Sequence, residues 1–205
     1  MRKVASPLGL ILHTWDEVCG SLSQSAYFFK DLREQGIELY SYDLRGLPAP
    51  GRLLAEEQLK VASDYFLRGF ENAFGFFRQM KYAMNDKMLR HAAFELHQAT
   101  EHFFSCVLLV HTNYLPRTHN ILQLRSLCVQ IDPAFATIFP KNCKRPRRET
   151  QRLKRAYVEA RYSMHYEITE EELDWLSSEV EKLQALTKQS CEAELEQLKQ
   201  ASGAE

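Results

Sequence analysis

Apolar positions recur at helical spacing over most of the chain. Between residues 53 and 81, Leu54, Leu59, Ala62, Phe66, Phe70, Ala73, Phe77 and Met80 keep intervals near three and four, the mark of one face of a helix. Residues 85–112, with Asn85 and Asp86 as caps, are more apolar still. Ala92, Leu96, Ala99, Phe103, Val107 and Val110 make one stripe, and Ala93, Phe104 and Leu108 extend it round a second side. A helix that is apolar on more than one side is central in a bundle. Asn113 to Arg117 form a turn. Thr118 then offers a cap for a short helix from His119 to about Ile131, which Asp132-Pro133 breaks. Residues 134–139 add a further turn or two, and residues 140–146 a basic loop. The spacing predicts a helix over 147–166. Thr169 and Glu172 then form a capping-box signature. The helix that follows carries a seam of Leu173, Leu176, Val180 and Leu183, which weakens after Thr187, so its last residues are expected to fray.

The front of the chain has a different rhythm. Residues 7–13 are a short apolar run after Pro7 that reads as a strand. Thr14-Trp15-Asp16-Glu17 starts a helix expected to reach Gln35, with Gly36 as its stop. Ile37-Glu38-Leu39-Tyr40 alternates and reads as a second strand. The Pro- and Gly-rich residues 43–51 mark a linker. The expected architecture is mainly α, an up-and-down helical bundle over residues 49–205 preceded by a small strand–helix–strand α/β piece within residues 1–48.

Composition changes this picture only locally. The 205 residues are 45% hydrophobic and 11% aromatic, with a formal net charge of −1. Residues 141–155 nevertheless hold eight basic side chains against Glu149 alone, and residues 167–205 hold eleven acids against three lysines. That charge dipole is the feature a phosphate-bearing ligand would feel. No window has the apolar length of a membrane span. Five scattered cysteines without a C-x-x-C fit reduced thiols and a cytoplasmic location.

The candidate chemistry gathers in residues 156–166. On a continuous helix Arg161 and His165 share one face, where a fixed charge and a titrating ring could hold a phosphate and move a proton. The plain alternative is a surface arginine and a histidine that merely ends the helix. Gln98, Glu101, His102 and Ser105 lie close together on the apolar central helix. They form either a structural network between helices or a polar line facing a cleft near Arg161 and His165. Arg152 and Arg155 put positive potential on the approach to that cleft. Four histidines fall in or at the end of the central helix without H-x-x-x-H or E-x-x-H spacing, so no metal site and no cofactor is expected. Phosphate-binding glycine loops and a nucleophile elbow are missing.

The order of elements resembles a known family. His91-Ala92-Ala93-Phe94-Glu95-Leu96-His97-Gln98-Ala99-Thr100-Glu101 resembles the central helix of HEPN domains. Leu115-Pro116-Arg117-Thr118-His119-Asn120-Ile121-Leu122 is similar to the turn that follows it in that family. Ala156 to Tyr162 resembles its last conserved segment. The likeness covers roughly residues 55–185. It implies a helical bundle, often dimeric, tied to nucleotide or RNA chemistry in bacteria and archaea, where many members are metal-independent ribonucleases or toxins. It also implies Arg161 and His165 as catalytic pair; the ligand-binding residues expected beside them are Arg161, Tyr162, Gln98, Glu101, Arg152 and Arg155. Residues 27–40 are similar to the end of the minimal nucleotidyltransferase domains found beside HEPN domains. Their Gly-Ser signature and acids are missing, so this piece is read as a remnant without transferase activity, and a nucleotidyltransferase as a possible partner in a toxin–antitoxin setting. In ribonuclease members four to six residues separate Arg and His. Here Tyr162, Ser163 and Met164 alone intervene, which counts against cleavage.

Two functions of different class are therefore expected. The first is a HEPN-type nucleotide- or RNA-binding module. The second is a dimerisation bundle without ligand. Phe66, Phe70, Phe74, Phe76 and Phe77 suggest more aromatic surface than one bundle buries, and hence a homodimer.

Overall fold

The computed structural model describes residues 11–24, 26–51, 53–140 and 144–203. Among them are seven α-helices and no strand. The chain divides into two compact units, residues 1–53 and 54–205.

The first unit contains α1 (Trp15–Ser23) and α2 (Tyr27–Gln35). Thr14 caps α1 with a complete capping box, its hydroxyl accepting from Glu17 N–H and Glu17 accepting from Thr14 N–H. The single helix expected over 14–35 is broken. Ser23 Oγ donates to the Gly20 carbonyl, and Ala26 N–H reaches back five residues to Ser21, so the regular ladder stops. Among the described residues the expected strand–helix–strand piece is not seen either. Residues 37–40 have strand-like alternation but pair with no strand among the described residues, and Ile37, Leu39 and Tyr40 are exposed. Alternation gives a strand only where one face is covered. Of the strand expected over 7–13, residues 7–10 lie outside the described residues and 11–13 have no regular structure.

The second unit is the bundle. It comprises α3 (Ala55–Asn85), α4 (Leu89–Thr112), α5 (Ile121–Ile131), a 3-10 turn at Pro133–Thr137, α6 (Lys144–Tyr162) and α7 (Glu170–Ser202). α4 packs against α3, α5, α6 and α7, as an apolar belt on two sides requires. Every residue named above in its stripe is buried, from Ala92 to Val110. α3 lies close to α4 because Gly69 faces Cys106, where a Cβ would already sit 3.3 Å from the sulfur.

Asn120, not Thr118, caps α5, its side chain accepting from Leu122 N–H. α7 runs four turns past Thr187, because Cys191, Leu195 and Leu198 continue to touch the core. Of the five phenylalanines read as surplus aromatic surface, Phe77 is buried and Phe66, Phe70 and Phe76 pack against the core. Phe74 alone is exposed. Among the described residues no helix is long and apolar enough to cross a membrane.

The connection from α6 to α7 differs most from expectation. The helix expected to reach residue 166 ends at Tyr162. Arg90, in the first turn of α4, donates to the carbonyls of Ala160 (3.2 Å) and Ser163 (2.5 Å) and approaches that of Glu159. A guanidinium there caps the helix and meets the negative end of its dipole. Ser163 Oγ then accepts from His165 N–H, and Tyr166 and Ile168 turn into the core. His165 is exposed and lies outside the helix, so the one-turn alignment with Arg161 is not formed.

Candidate functional site

Burial of Leu153, Ala156 and Ala160 fixes the rotation of α6. Tyr157 and Arg161, one turn apart, consequently lie along the seam with α4, where Tyr157 meets His97 and Arg161 meets Phe94. The Arg161 guanidinium sits 4.8 Å from the ring centres of Phe94 and Tyr157 and 5.0 Å from that of Tyr162. Its Nε donates to the Tyr157 carbonyl at 2.8 Å. Three rings and one carbonyl hold this head group in place, each cation–π contact contributing about 0.5–1 kcal/mol at an exposed site. Its terminal nitrogens face no carboxylate among the described residues.

Glu101 projects from α4 toward the same tyrosine. His119 Nδ1 donates to Glu101 Oε1 at 2.9 Å, and the His119 ring stacks on Tyr157 with centres 4.1 Å apart and planes 18° apart. On the buried side, His97 Nδ1 donates to the Leu153 carbonyl at 2.9 Å. His97 Nε2 stands 3.4 Å from Glu101 Oε2, out of line for a hydrogen bond. Burial disfavours the Glu101 carboxylate, but the nearby His97 and the hydrogen bond from His119 outweigh it and hold its pKa below the usual value. The turn carrying His119 is itself fixed. Thr118 N–H donates to the Pro116 carbonyl, Asn120 N–H to Thr118 Oγ1, and Thr118 Oγ1 to the Gln123 side chain.

The expected polar line on α4 therefore divides. Glu101 faces α6, whereas His102 stacks on Phe76 of α3 with ring centres 5.0 Å apart. Burial lowers the pKa of His102. Ser105 is buried, and the buried Gln98 Oε1 has no hydrogen-bond partner among the described residues. Arg152 is committed elsewhere: together with Arg148 it binds Glu172, a carboxylate only 5% exposed at the start of α7. Arg155 pairs with Glu159 at 3.5 Å. Arg148, Arg152 and Arg155 of the basic run are thus paired within the bundle. Arg161 and Tyr162 stay exposed. No group of three or more His, Cys, Asp or Glu among the described residues is placed to hold a metal ion.

Sequence reasoning missed four residues that build this site: Phe94, His119, Tyr157 and Arg90. His119 carries a signal in the sequence, since it stands in the Leu115-to-Leu122 turn that resembles the family's. Arg90 had none, because the carbonyls it caps are some seventy residues away.

Four helices around an apolar central one, with a polar seam between α4 and α6, define an all-α bundle. The model of the HEPN domain matches residues 67–190. That stretch is more than half of the chain and contains Glu101, His119, Tyr157, Arg161 and His165, so the chain belongs to the HEPN domain family. No curated protein matches it in sequence.

Proposed function

We propose that the chain is a nucleotide- or RNA-binding HEPN module in which Arg161 anchors a phosphate. The observation that carries this reading is the guanidinium caged by Phe94, Tyr157 and Tyr162. The cage orients the fork in advance, so little rotamer freedom is lost when it grips two phosphate oxygens. Tyr162, three-quarters exposed beside it, offers a face on which a base stacks. Arg155 adds long-range attraction, and Glu101 and Gln98 contribute polar groups at the seam. Arg152 serves chiefly to bind Glu172.

The test is fluorescence anisotropy of a labelled oligoribonucleotide, and of ATP and GTP by thermal shift, in EDTA. Arg161→Ala is expected to weaken binding about tenfold or more, and Arg161→Lys by less, because the charge survives and the fork does not. Arg155→Ala is expected to flatten the salt dependence slightly, and Arg152→Ala to act mainly on stability. Unchanged binding by Arg161→Ala would sink the reading.

A second copy of the chain is the other partner favoured. Val158, Tyr162 and Met164 are more than half exposed and cluster at the end of α6, and apolar surface of this kind is buried at two-fold interfaces. Light scattering showing a monomer at tens of micromolar counts against the homodimer. Association with a nucleotidyltransferase, and with it a toxin–antitoxin setting, rests on sequence resemblance alone.

A further inference from the structure

We infer that a second reactive centre lies at the far end of α4, with Ser190 as nucleophile, His111 as its general base and Glu194 as the carboxylate that orients the base. Its reaction is transfer of the acyl group of a small neutral or cationic ester to Ser190 and then to water. His111 stands seventeen residues beyond Phe94, about 25 Å along α4 from the ring that meets Arg161. The centre is therefore separate from the phosphate anchor proposed above. Glu194 also lies past residue 190, where the match to the HEPN domain ends.

Two helices build it. Ser190 and Glu194 are four residues apart on α7 and share a face, and the last turn of α4 sets His111 against that face. Nε2 of His111 is 3.0 Å from Ser190 Oγ, and Nδ1 is 3.3 Å from Glu194 Oε2. A carboxylate only accepts, so Nδ1 carries the proton of the neutral ring and Nε2 accepts from the Ser190 hydroxyl. A hydroxyl inside a helix commonly returns to a carbonyl four residues back, as that of Thr100 does to Leu96 and that of Thr112 to Leu108. Ser190 instead donates across to α4. Burial holds the pKa of His111 below 6.5, although Glu194 and Asp132 favour the charged form. The ring is thus neutral at pH 7, as a base must be. Nucleophile, base and orienting group in succession are the arrangement that activates a hydroxyl.

The three side chains line a cleft of about 310 Å³ together with Asp132, Gln189 and Gln197. That volume takes a small ligand. Two carboxylates face it and, among the described residues, no lysine or arginine does, so an anionic substrate is disfavoured and a neutral or cationic one favoured. The amides of Gln189 and Gln197 are the side-chain donors there for a developing oxyanion. In the first step Nε2 of His111 takes the Ser190 proton, and Oγ forms a bond to the ester carbonyl carbon. The bond from that carbon to the alcohol oxygen breaks, and this oxygen takes the proton from His111. In the second step a water gives its proton to His111 and its oxygen to the acyl carbon. The bond to Oγ breaks, and His111 returns the proton to Ser190. The products are a carboxylic acid and an alcohol, and water is the one further reactant. Glu194 is a positioning residue, since it acts through His111.

The experiment uses the full chain with two probes. A fluorophosphonate is applied to wild type and the modified peptide is read by mass spectrometry; the expected label is on Ser190. This arm needs no variant to fold. Turnover is followed with p-nitrophenyl acetate and with matched esters carrying a trimethylammonium or a carboxylate on the acyl chain. Acid quenching during turnover is expected to trap the acyl group on Ser190. His111→Gln is expected to lower kcat about 10²–10⁴-fold, the usual contribution of a general acid–base group, and Ser190→Ala to leave only the rate of the buffer. Glu194→Gln is expected to lower kcat with KM unchanged, and Glu194→Asp to recover part of it. The cationic ester is expected to show the higher kcat/KM and the anionic one the lower, with Asp132→Asn narrowing the gap. Ser190 left unlabelled in wild type overturns the assignment, as does equal turnover by wild type and Ser190→Ala. A preference for the anionic ester overturns the substrate class.

Discussion

Arg90 makes the firmest forecast, because a single side chain decides where α6 ends. Its guanidinium donates at 2.5 Å to Ser163 and at 3.2 Å to Ala160, with a longer contact at 3.5 Å to Glu159. Hydrogen bonds from a charged donor contribute about 1.5–3 kcal/mol each. The two short bonds set the scale, and the long one adds little. Arg90 is only part-buried, so water reaches the carbonyls once the side chain is cut back, and the net loss for Arg90→Met falls to about 2–3 kcal/mol. For a chain of this size that is a drop in Tm of about 5–10 °C. Arg90→Lys keeps a cation at the helix end, worth about 0.3–1 kcal/mol, and should recover that part alone. The assay is urea unfolding followed by far-UV dichroism, with amide exchange on residues 159–166. Exchange there should quicken in Arg90→Met while α4 stays protected. Ala160 adjoins Arg161, so RNA binding should weaken as well, although Arg90 touches no ligand. A Tm shift below about 1 °C, or Arg90→Lys as stable as wild type, would refute the reasoning.

Glu172 joins the start of α7 to Arg148 and Arg152 and accepts from Thr169 N–H in the capping box. Glu172→Gln leaves Arg152 without its carboxylate, and the urea midpoint should fall by the equivalent of about 2–3 kcal/mol, somewhat under the loss for a fully buried pair; an unchanged midpoint would show the pair to be incidental. Burial lowers the pKa of both His102 and His111 below 6.5 in the fold. The unfolded chain therefore binds protons more readily, and Tm should decline as the pH falls through about 6.5. His111→Asn should flatten part of that decline, and an identical pH profile would contradict it. Glu101, with its pKa lowered, stabilises the fold above pH 4.5 and loses that effect only on further acidification, so the decline near neutrality belongs to the histidines.

What was legible in the sequence was what depends on near neighbours. The stripe from Ala92 to Val110 is periodic and fully buried, and the Thr14 and Thr169 capping boxes are local arrangements of four residues. Residues 37–40 failed because alternation states only how a strand would pack, not whether a partner exists. Position 162 as the end of α6 was illegible because Arg90 is distant in sequence. The basic run looked like a phosphate funnel because Glu172, which neutralises Arg148 and Arg152, lies twenty residues on. Arg161 was found from its place in the segment, whereas its aromatic cage needed Phe94 from another helix.

Tyr157 explains why the site has one composition and not another. Its carbonyl and ring position Arg161, and the same ring stacks His119 and meets buried His97. The caged Arg161 guanidinium and the His119 imidazole thus meet one side chain on a helix whose rotation is set by Leu153, Ala156 and Ala160. Were the seam only structural, burial would favour an apolar residue at 101, since a half-buried carboxylate costs free energy unless its partners are fixed. Here the partners are fixed on the core side by His97 and left open on the outer side at His119. A polar network that is anchored at one end and accessible at the other is what a ligand site requires. A helix-to-helix staple has no use for the accessible end.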